Sequence, residues 1–134
     1  QPSGGSLDPA SQESLTSRGH FLKMNGREIF KSAVRVMERA AREILSEHGY
    51  KESDVDHIIP HQANARIVES LSQRLDIPLE KFYCNLDKYG NTSAASIPIA
   101  LDEARRTSFV QKDQLGLMVA FGAGLTWSAV LVRF

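Results

Sequence analysis

The sequence feature that most constrains the fold is a continuous apolar run, LGLMVAF, at residues 115–121. A strand that is buried on both faces of a sheet has this composition, and such strands lie at the centre of sheets that helices cover. The turn sequence GAG at residues 122–124 follows, and residues 126–134 return as a last strand, in which Trp127 and Phe134 are predicted to be core residues. The run therefore predicts an α/β fold that ends in an antiparallel hairpin.

Three helices are predicted to cover this sheet. The longest extends from about residue 26 to residue 48, where apolar residues recur at helical spacing, and Gly49 provides the stop. Two further helices are predicted at residues 62–75 and 93–106. The first half of the third helix is apolar nearly all round, which is typical of a helix buried on every side, and Pro98 is expected to distort it locally.

Short apolar stretches at residues 20–24, 55–60 and 82–86 are predicted to add three strands to the sheet. The predicted order is β-α-β-α-β-α-β-β, a five-stranded mixed sheet with covering helices. Residues 1–18 are rich in Ser, Gly, Pro and Gln and are interpreted as a flexible lead-in segment. The chain is therefore expected to form one domain, over residues 19–134.

The composition argues against several classes of protein. Sixteen Lys and Arg residues balance sixteen Asp and Glu residues, so a broad surface for nucleic acid or anionic membranes is not expected. The single cysteine, Cys84, excludes an internal disulfide, fits a reducing compartment and is predicted to be a small buried hydrophobe. No apolar run approaches the roughly 20 residues of a membrane-spanning helix, and no signal peptide is visible. We therefore expect a cytoplasmic protein.

His61 follows Pro60, where a predicted strand ends and a predicted helix begins. Ligands in open α/β sheets bind outside the carboxyl ends of the strands, although a histidine taken alone is more often structural. His57 lies four residues earlier, but the intervening residues are strand-like and the Glu of an H-E-x-x-H motif is missing. No metal site is therefore expected.

Two glycine-containing segments each have two interpretations. The segment GNTS at residues 90–93 is either a turn in which Thr92 or Ser93 caps the next helix, or a turn that points the Asn91 carboxamide into a cavity. The segment GAG at residues 122–124 is either a plain turn or one side of an oxyanion hole. Together, His61 and Asn91 can hold a thioester carbonyl oxygen while negative charge builds on it.

Four blocks in this order resemble the C-terminal half of the 3-oxoacyl-[acyl-carrier-protein] synthase III family, the initiating condensing enzymes of type II fatty acid synthesis. The blocks are MNGREIFK at residues 24–31, PHQANARI at 60–67, GNTSAAS continuing to ALDEA at 90–104, and AFGAGLTW with the ending VRF at 120–134. Ser128 departs from the glycine that the family usually has after tryptophan. The resemblance implies a thiolase-like fold, of which this chain is one half.

The resemblance also implies a reaction, a decarboxylating Claisen condensation of acyl-coenzyme A with malonyl-[acyl-carrier-protein]. His61 and Asn91 match two catalytic positions of the family, and Ala123 aligns with a backbone N–H that completes the oxyanion hole. The nucleophilic cysteine belongs to an N-terminal half that these residues do not include, so this chain alone is expected to be inactive. Coenzyme A and phosphopantetheine thioesters are substrates, and no metal or redox cofactor is implied.

Further positions are assigned by the same resemblance. Met24, Gly26 and Phe30 align with the region that lines the pantetheine tunnel, and Asn64 lies near the pantetheine arm. Arg66 falls where the family presents a basic residue to the acyl carrier protein. The implied partners are the acyl carrier protein, the N-terminal half and a second copy of the enzyme in a homodimer.

Two alternatives stay open. A related condensing enzyme, such as a polyketide starter synthase or another acyltransferase of the same fold, would carry the same residues. A non-catalytic carrier-binding half-domain is the second alternative, and the presence of both His61 and Asn91 argues against it. Most of the acyl pocket lies outside this chain, so the sequence does not predict the preferred acyl chain.

Overall fold

The structure, a computed structural model that describes residues 2–134, contains helices on both sides of a small sheet. The helices are α1 Gln12–Thr16, α2 Gly26–Glu47, α3 Ala65–Leu75, α4 Leu86–Tyr89 and α5 Ser96–Arg106. The strands are β1 His57–Pro60, β2 Leu115–Gly122 and β3 Thr126–Arg133. Short 3-10 helices lie at Glu52–Asp54, Leu79–Lys81 and Ser93–Ala95.

The predicted central strand is β2, and it pairs with both other strands. It runs parallel to β1, with Pro60 opposite Val119, and antiparallel to β3, with Gly122 opposite Thr126. Leu117 and Val119 are fully buried. The mixed sheet with its C-terminal hairpin is therefore confirmed, and so is the α/β class.

The sheet has three strands in the described residues, not the predicted five. The stretch at residues 20–24 begins in a turn and pairs with no strand among residues 2–134, and Leu22 and Met24 are exposed. The stretch at residues 82–86 makes only one isolated bridge, between Ile58 and Phe82. It then turns away from the sheet and enters α4.

The two faces of the sheet pack against different helices. Cores of this kind form because consecutive residues of a strand point to opposite faces. One face packs against α2 and α3, and its buried residues include Met37, Ala41, Ile58, Leu71, Leu75 and Leu117. The other face packs against α5, with Ile59, Ala100, Ala104 and Val110. Burial on both faces explains why β2 is apolar throughout.

Helix α5 is less buried than its composition predicts. Ala94, Ala95 and Pro98 are exposed, and only one side of the helix contacts the sheet. Pro98 is the third residue of α5, a position whose backbone N–H has no partner within a helix. For that reason the helix continues to Arg106 without a break, and the predicted distortion is wrong.

The N-terminal segment contains a short helix that the composition did not predict. Ser11 caps α1, because its hydroxyl accepts a hydrogen bond from the Ser14 backbone N–H at 3.1 Å. Gln1 lies outside the described residues. No helix in the described part of the chain combines the length and apolar character that crossing a membrane requires.

Candidate active site

An open cavity of about 1070 Å³ lies at the carboxyl ends of β1 and β2. Because β1 and β2 are parallel, the residues that follow them meet at one edge of the sheet. His61 follows β1, Ala123 follows β2, and Asn91 precedes α5; all three line this cavity. The structure therefore places the predicted imidazole, carboxamide and turn around one cavity.

His61 is held at this edge by its backbone. Its N–H donates to the Val119 carbonyl oxygen at 2.8 Å, which extends the β1–β2 pairing by one residue. The half-buried ring meets the edge of Phe121, with 5.5 Å between the ring centres. Burial lowers the pKa of His61 below its ordinary value of 6.5. The imidazole is therefore mainly neutral at pH 7 and keeps one N–H to donate.

Among residues 2–134, the histidine rings that make hydrogen bonds are those of His20, His48 and His57. Both ring nitrogens of His61 are therefore available to a ligand.

Asn91 lies in a tight turn between α4 and α5. Gly90 ends α4 with φ of 67°, in the left-handed region that glycine adopts without strain. The Asn91 Oδ1 atom accepts a hydrogen bond from the Ser93 backbone N–H at 2.9 Å. Its oxygen is thereby occupied, and its Nδ2 group remains as the available donor. Neither Thr92 nor Ser93 makes a side-chain cap, so that interpretation is wrong.

Asn64 repeats this arrangement at the start of α3. Its Oδ1 atom accepts from the Arg66 backbone N–H at 2.9 Å, which caps the helix, and its Nδ2 group is again the available donor. Met24, Gly26 and Phe30 line the same cavity from the start of α2. Arg66 is exposed on the first turn of α3 and does not line the cavity.

The turn between β2 and β3 forms another wall. Gly124 has φ of 144°, and a Cβ atom there would lie 2.9 Å from the Thr126 Cγ2 atom. Only glycine fits this position without displacing its neighbour.

Trp127, predicted to be a core residue, is instead 41% exposed and lines the cavity, with the Arg39 guanidinium 4.9 Å from its ring centre. Phe134 packs in the core, as predicted.

Cys84 is exposed, so the prediction of a small buried hydrophobe is wrong. It lies two residues after Phe82, which bridges to β1, and outside the cavity. Partial burial of the sulfur and the nearby Asp87 carboxylate raise the pKa of the Cys84 thiol to about 11. The thiol is therefore protonated at neutral pH and is a poor nucleophile there.

His57 has a structural role. Its Nε2 atom lies 2.8 Å from the Gln114 Oε1 atom, and its ring packs on Phe109. In the region that the structure describes, no three His, Cys, Asp or Glu side chains lie close enough together to hold a metal ion.

We predict that His61 titrates below pH 6.5, because burial disfavours the imidazolium form. Histidine-selective NMR of the chain measures the midpoint, and the signal that disappears in His61→Gln identifies the residue. The folded chain binds fewer protons than the unfolded chain in this window. The wild type therefore loses stability relative to His61→Gln as the pH falls below 6.5. A midpoint at or above 6.5 contradicts the prediction.

We predict that iodoacetamide alkylates Cys84 about tenfold more slowly at pH 8 in the folded chain than in urea. Two pH units of difference between a thiol pKa of about 11 and the ordinary 9.0 reduce the thiolate fraction about 100-fold. Greater nucleophilicity of the thiolate offsets part of this loss. Incubation with acyl-coenzyme A should likewise leave no acyl adduct on Cys84 in a mass spectrum. Equal alkylation rates, or a stable adduct at neutral pH, would show that the thiol is activated.

Comparison with known proteins identifies the family. The family model described as 3-Oxoacyl-[acyl-carrier-protein (ACP)] synthase III C terminal matches residues 45–134. Beta-ketoacyl-[acyl-carrier-protein] synthase III of Caldanaerobacter subterraneus is 50% identical over 133 residues, which are 99% of this chain and 40% of that protein. The protein of the same name from Aquifex aeolicus is 54% identical over 114 residues, 85% of this chain and 37% of that protein.

Solved structures agree with the family model. The crystal structure of 3-oxoacyl-[acyl-carrier-protein] synthase III from Aquifex aeolicus superposes with a TM-score of 0.83 and 54% identity, over 87% of this chain and 38% of that one. The priming β-ketosynthase of the R1128 polyketide pathway gives a TM-score of 0.78 and 36% identity, over 92% and 39%. The chain spans about 40% of the length of its curated relatives. It belongs to the 3-oxoacyl-[acyl-carrier-protein] synthase III family, of which it represents the C-terminal domain.

Proposed function

We propose that this chain is the C-terminal half of a condensing enzyme that joins an acyl starter to malonyl-[acyl-carrier-protein]. The observation that carries the proposal is the meeting of His61 and Asn91 at one cavity. Each has a donor that no other group of the described chain occupies; the backbone of His61 is fixed by its bond to Val119, and Asn91 lies in the turn after Gly90. Two neutral donors that line one cavity suit an oxygen that gains negative charge.

The first step uses a nucleophile from outside this chain. A cysteine thiolate of the N-terminal half attacks the thioester carbonyl of acyl-coenzyme A, and the thiolate of coenzyme A leaves. Cys84 does not fit this role, since it lies outside the cavity and its pKa is about 11. This half alone is therefore inactive in the proposed mechanism.

The second step is decarboxylation of the malonyl thioester. The bond between the carboxylate and the central carbon breaks, carbon dioxide leaves, and the electron pair moves through the carbon–carbon bond onto the thioester oxygen. The N–H of His61 and the Nδ2 group of Asn91 donate to that oxygen. Phe121 and other apolar side chains form part of the cavity wall, and apolar surroundings strengthen such hydrogen bonds. Loss of one such donor typically costs 10²- to 10³-fold in rate.

In the third step the enolate carbon attacks the acyl-cysteine carbonyl and forms a carbon–carbon bond. The resulting oxyanion accepts a hydrogen bond from the Ala123 backbone N–H. Collapse of this intermediate returns the thiolate to the cysteine and releases the 3-oxoacyl thioester. These steps transfer no electrons to a redox carrier, and N–H groups hold each negative charge.

Substrate and partner binding follow from the same cavity. Met24, Gly26, Phe30 and Asn64 lie along it and are proposed to contact the pantetheine arm. The N-terminal half is proposed to cover the exposed side of α5 around Pro98. The complete enzyme is proposed to act as a homodimer in the cytoplasm, without nucleic acid or membrane partners.

A second candidate function is supported by one comparison. The chain is 36% identical to a priming β-ketosynthase of a polyketide pathway, and this supports a starter reaction of polyketide synthesis as the second candidate. Kinetics with different acyl-coenzyme A starters in the full-length enzyme distinguish the two. A non-catalytic carrier-binding half-domain is supported only if the full-length protein binds carrier protein without turnover.

We predict that His61→Ala and Asn91→Ala each reduce malonyl decarboxylation by the full-length enzyme about 10²- to 10³-fold. Acylation of the nucleophilic cysteine should continue at nearly the wild-type rate, because it precedes the step that uses these donors. Release of labelled carbon dioxide measures decarboxylation, and mass spectrometry measures acylation. His48→Ala is the control, since His48 is exposed on the opposite end of α2 from the cavity. If either variant lost acylation but kept decarboxylation, the roles assigned to His61 and Asn91 would be wrong.

We predict that Arg66→Glu raises the KM for malonyl-[acyl-carrier-protein] about tenfold at low salt, because surface charge mainly steers the encounter with an acidic partner. The salt dependence of kcat/KM should become weaker, while the KM for acyl-coenzyme A stays near the wild-type value. Lys112→Glu is the control, because Lys112 is exposed just before the amino end of β2, at the opposite edge of the sheet. Unchanged kinetics with carrier protein would remove Arg66 from the docking surface.

A further inference from the structure

Two buried polar residues lie between His61 and Asn91 in the sequence and take no part in the mechanism above. Gln62 directly follows His61 and is 1% exposed, and Asn85 is 5% exposed. Burying polar groups is costly unless each is hydrogen-bonded, and fully bonded groups fix one geometry. Their partners therefore indicate what the two residues hold in place.

Gln62 joins the His61 segment to the segment before α4. Its Oε1 atom accepts from the Asn85 backbone N–H at 2.8 Å, and its Nε2 atom donates to the Tyr83 carbonyl oxygen at 3.2 Å. Both bonds reach across from the end of β1 to residues 21 and 23 positions further along the chain. These two bonds use the Tyr83 carbonyl oxygen and the Asn85 N–H, two backbone groups that would pair with a neighbouring strand if residues 82–86 formed a strand.

Glu103 holds the same segment from the other side. Its Oε2 atom accepts from the Asn85 Nδ2 group at 2.7 Å, and its Oε1 atom accepts from the Lys88 Nζ group at 2.6 Å. Asn85 precedes α4, and Lys88 lies in its last turn. One carboxylate on α5 therefore fixes both ends of the short helix that leads through Gly90 to Asn91.

Asn85 also departs from the usual behaviour of its position. Asn at a helix N-cap normally accepts a hydrogen bond from the first turn of that helix. Asn85 makes no such cap, and its side chain bonds to Glu103 instead. A local helix cap is thus replaced by a long-range contact.

We propose that Gln62 and Glu103 are positioning residues that hold Asn85 from two sides and thereby set the spacing between His61 and Asn91. Gln62 connects Asn85 to the strand end that carries His61, and Glu103 connects it to the helix that follows Asn91. This inference rests on the proposed function, because it assigns the alignment of the two donors of that site.

The proposal predicts a selective kinetic defect in the full-length enzyme. Misplacing a reacting group by about 1 Å can cost about 100-fold in rate. Gln62→Ala and Glu103→Ala should each lower kcat for malonyl decarboxylation about 10- to 100-fold. The KM for the malonyl thioester and the rate of cysteine acylation should stay within about twofold of wild type, because neither depends on aligning the two donors.

Matched controls separate positioning from general destabilisation. Gln73→Ala and Glu69→Ala remove the same side chains from exposed positions on α3 and should leave kcat unchanged. Glu103→Gln keeps an oxygen that can accept from Asn85, so it should recover most of the kcat that Glu103→Ala loses. Lys88→Met, which keeps the bond to Asn85, should lose less than Glu103→Ala. Rates are normalised to folded protein, with thermal unfolding of each variant recorded.

Crystal structures of the full-length variants give a readout that does not depend on activity. The proposal requires His61 or Asn91 to shift by about 0.5 Å or more, or to lose a single conformation, in Gln62→Ala and Glu103→Ala. Unmoved donors overturn it, and so does an equal loss of acylation and decarboxylation. An inactive wild-type enzyme refutes the proposed function, while the crystal structures still decide whether these residues position the two side chains.

Discussion

The parallel pairing of β1 with β2 is the constraint on which the rest of the structure depends. It aligns Pro60 with Val119 and continues for one more hydrogen bond, from the His61 N–H to the Val119 carbonyl. That single register places the imidazole beside the turn that follows β2. A shift of one residue would send His61 to the other face of the sheet, because side chains alternate along a strand. The buried residues on both faces of β2 prevent such a shift.

Much of this framework could be predicted from sequence because its signals are local. The apolar run of β2 and the periodic face of α2 each identify an element without knowledge of its neighbours. The missing strand at residues 82–86 could not be predicted in the same way. In a strand, the Asn85 N–H would donate to the backbone of a neighbouring strand. Here it donates to the side chain of Gln62 instead. That competitor lies 23 residues away, and no local pattern reveals it.

The candidate site also has features that the sequence predicts and features that it does not. His61 and Asn91 could be selected because each follows a predicted element end next to a turn. The Asn91 oxygen accepts from the Ser93 N–H, which leaves only the amide N–H groups free, and this depends on the folded turn rather than on any sequence pattern. Cys84 and Trp127 were assigned to the core from composition, yet both are exposed. Composition reports how apolar a residue is, whereas exposure depends on which surfaces a single half-domain covers.

The location of the donors within one half has a physical consequence. The separation of His61 and Asn91 is set by contacts inside this chain, through Asn85 and its two partners. In the proposed enzyme, the distance from these donors to the thiolate of the N-terminal half depends instead on how that half packs against this one. Electrostatic stabilisation by fixed N–H groups is effective because they need no reorganisation during the reaction. Keeping both donors on one rigid unit preserves their alignment even when the two halves move slightly against each other. The hydrogen bonds of Gln62, Asn85 and Glu103 supply that rigidity. Hydrogen bonds are directional, so they fix particular groups, whereas apolar packing of the same size would not.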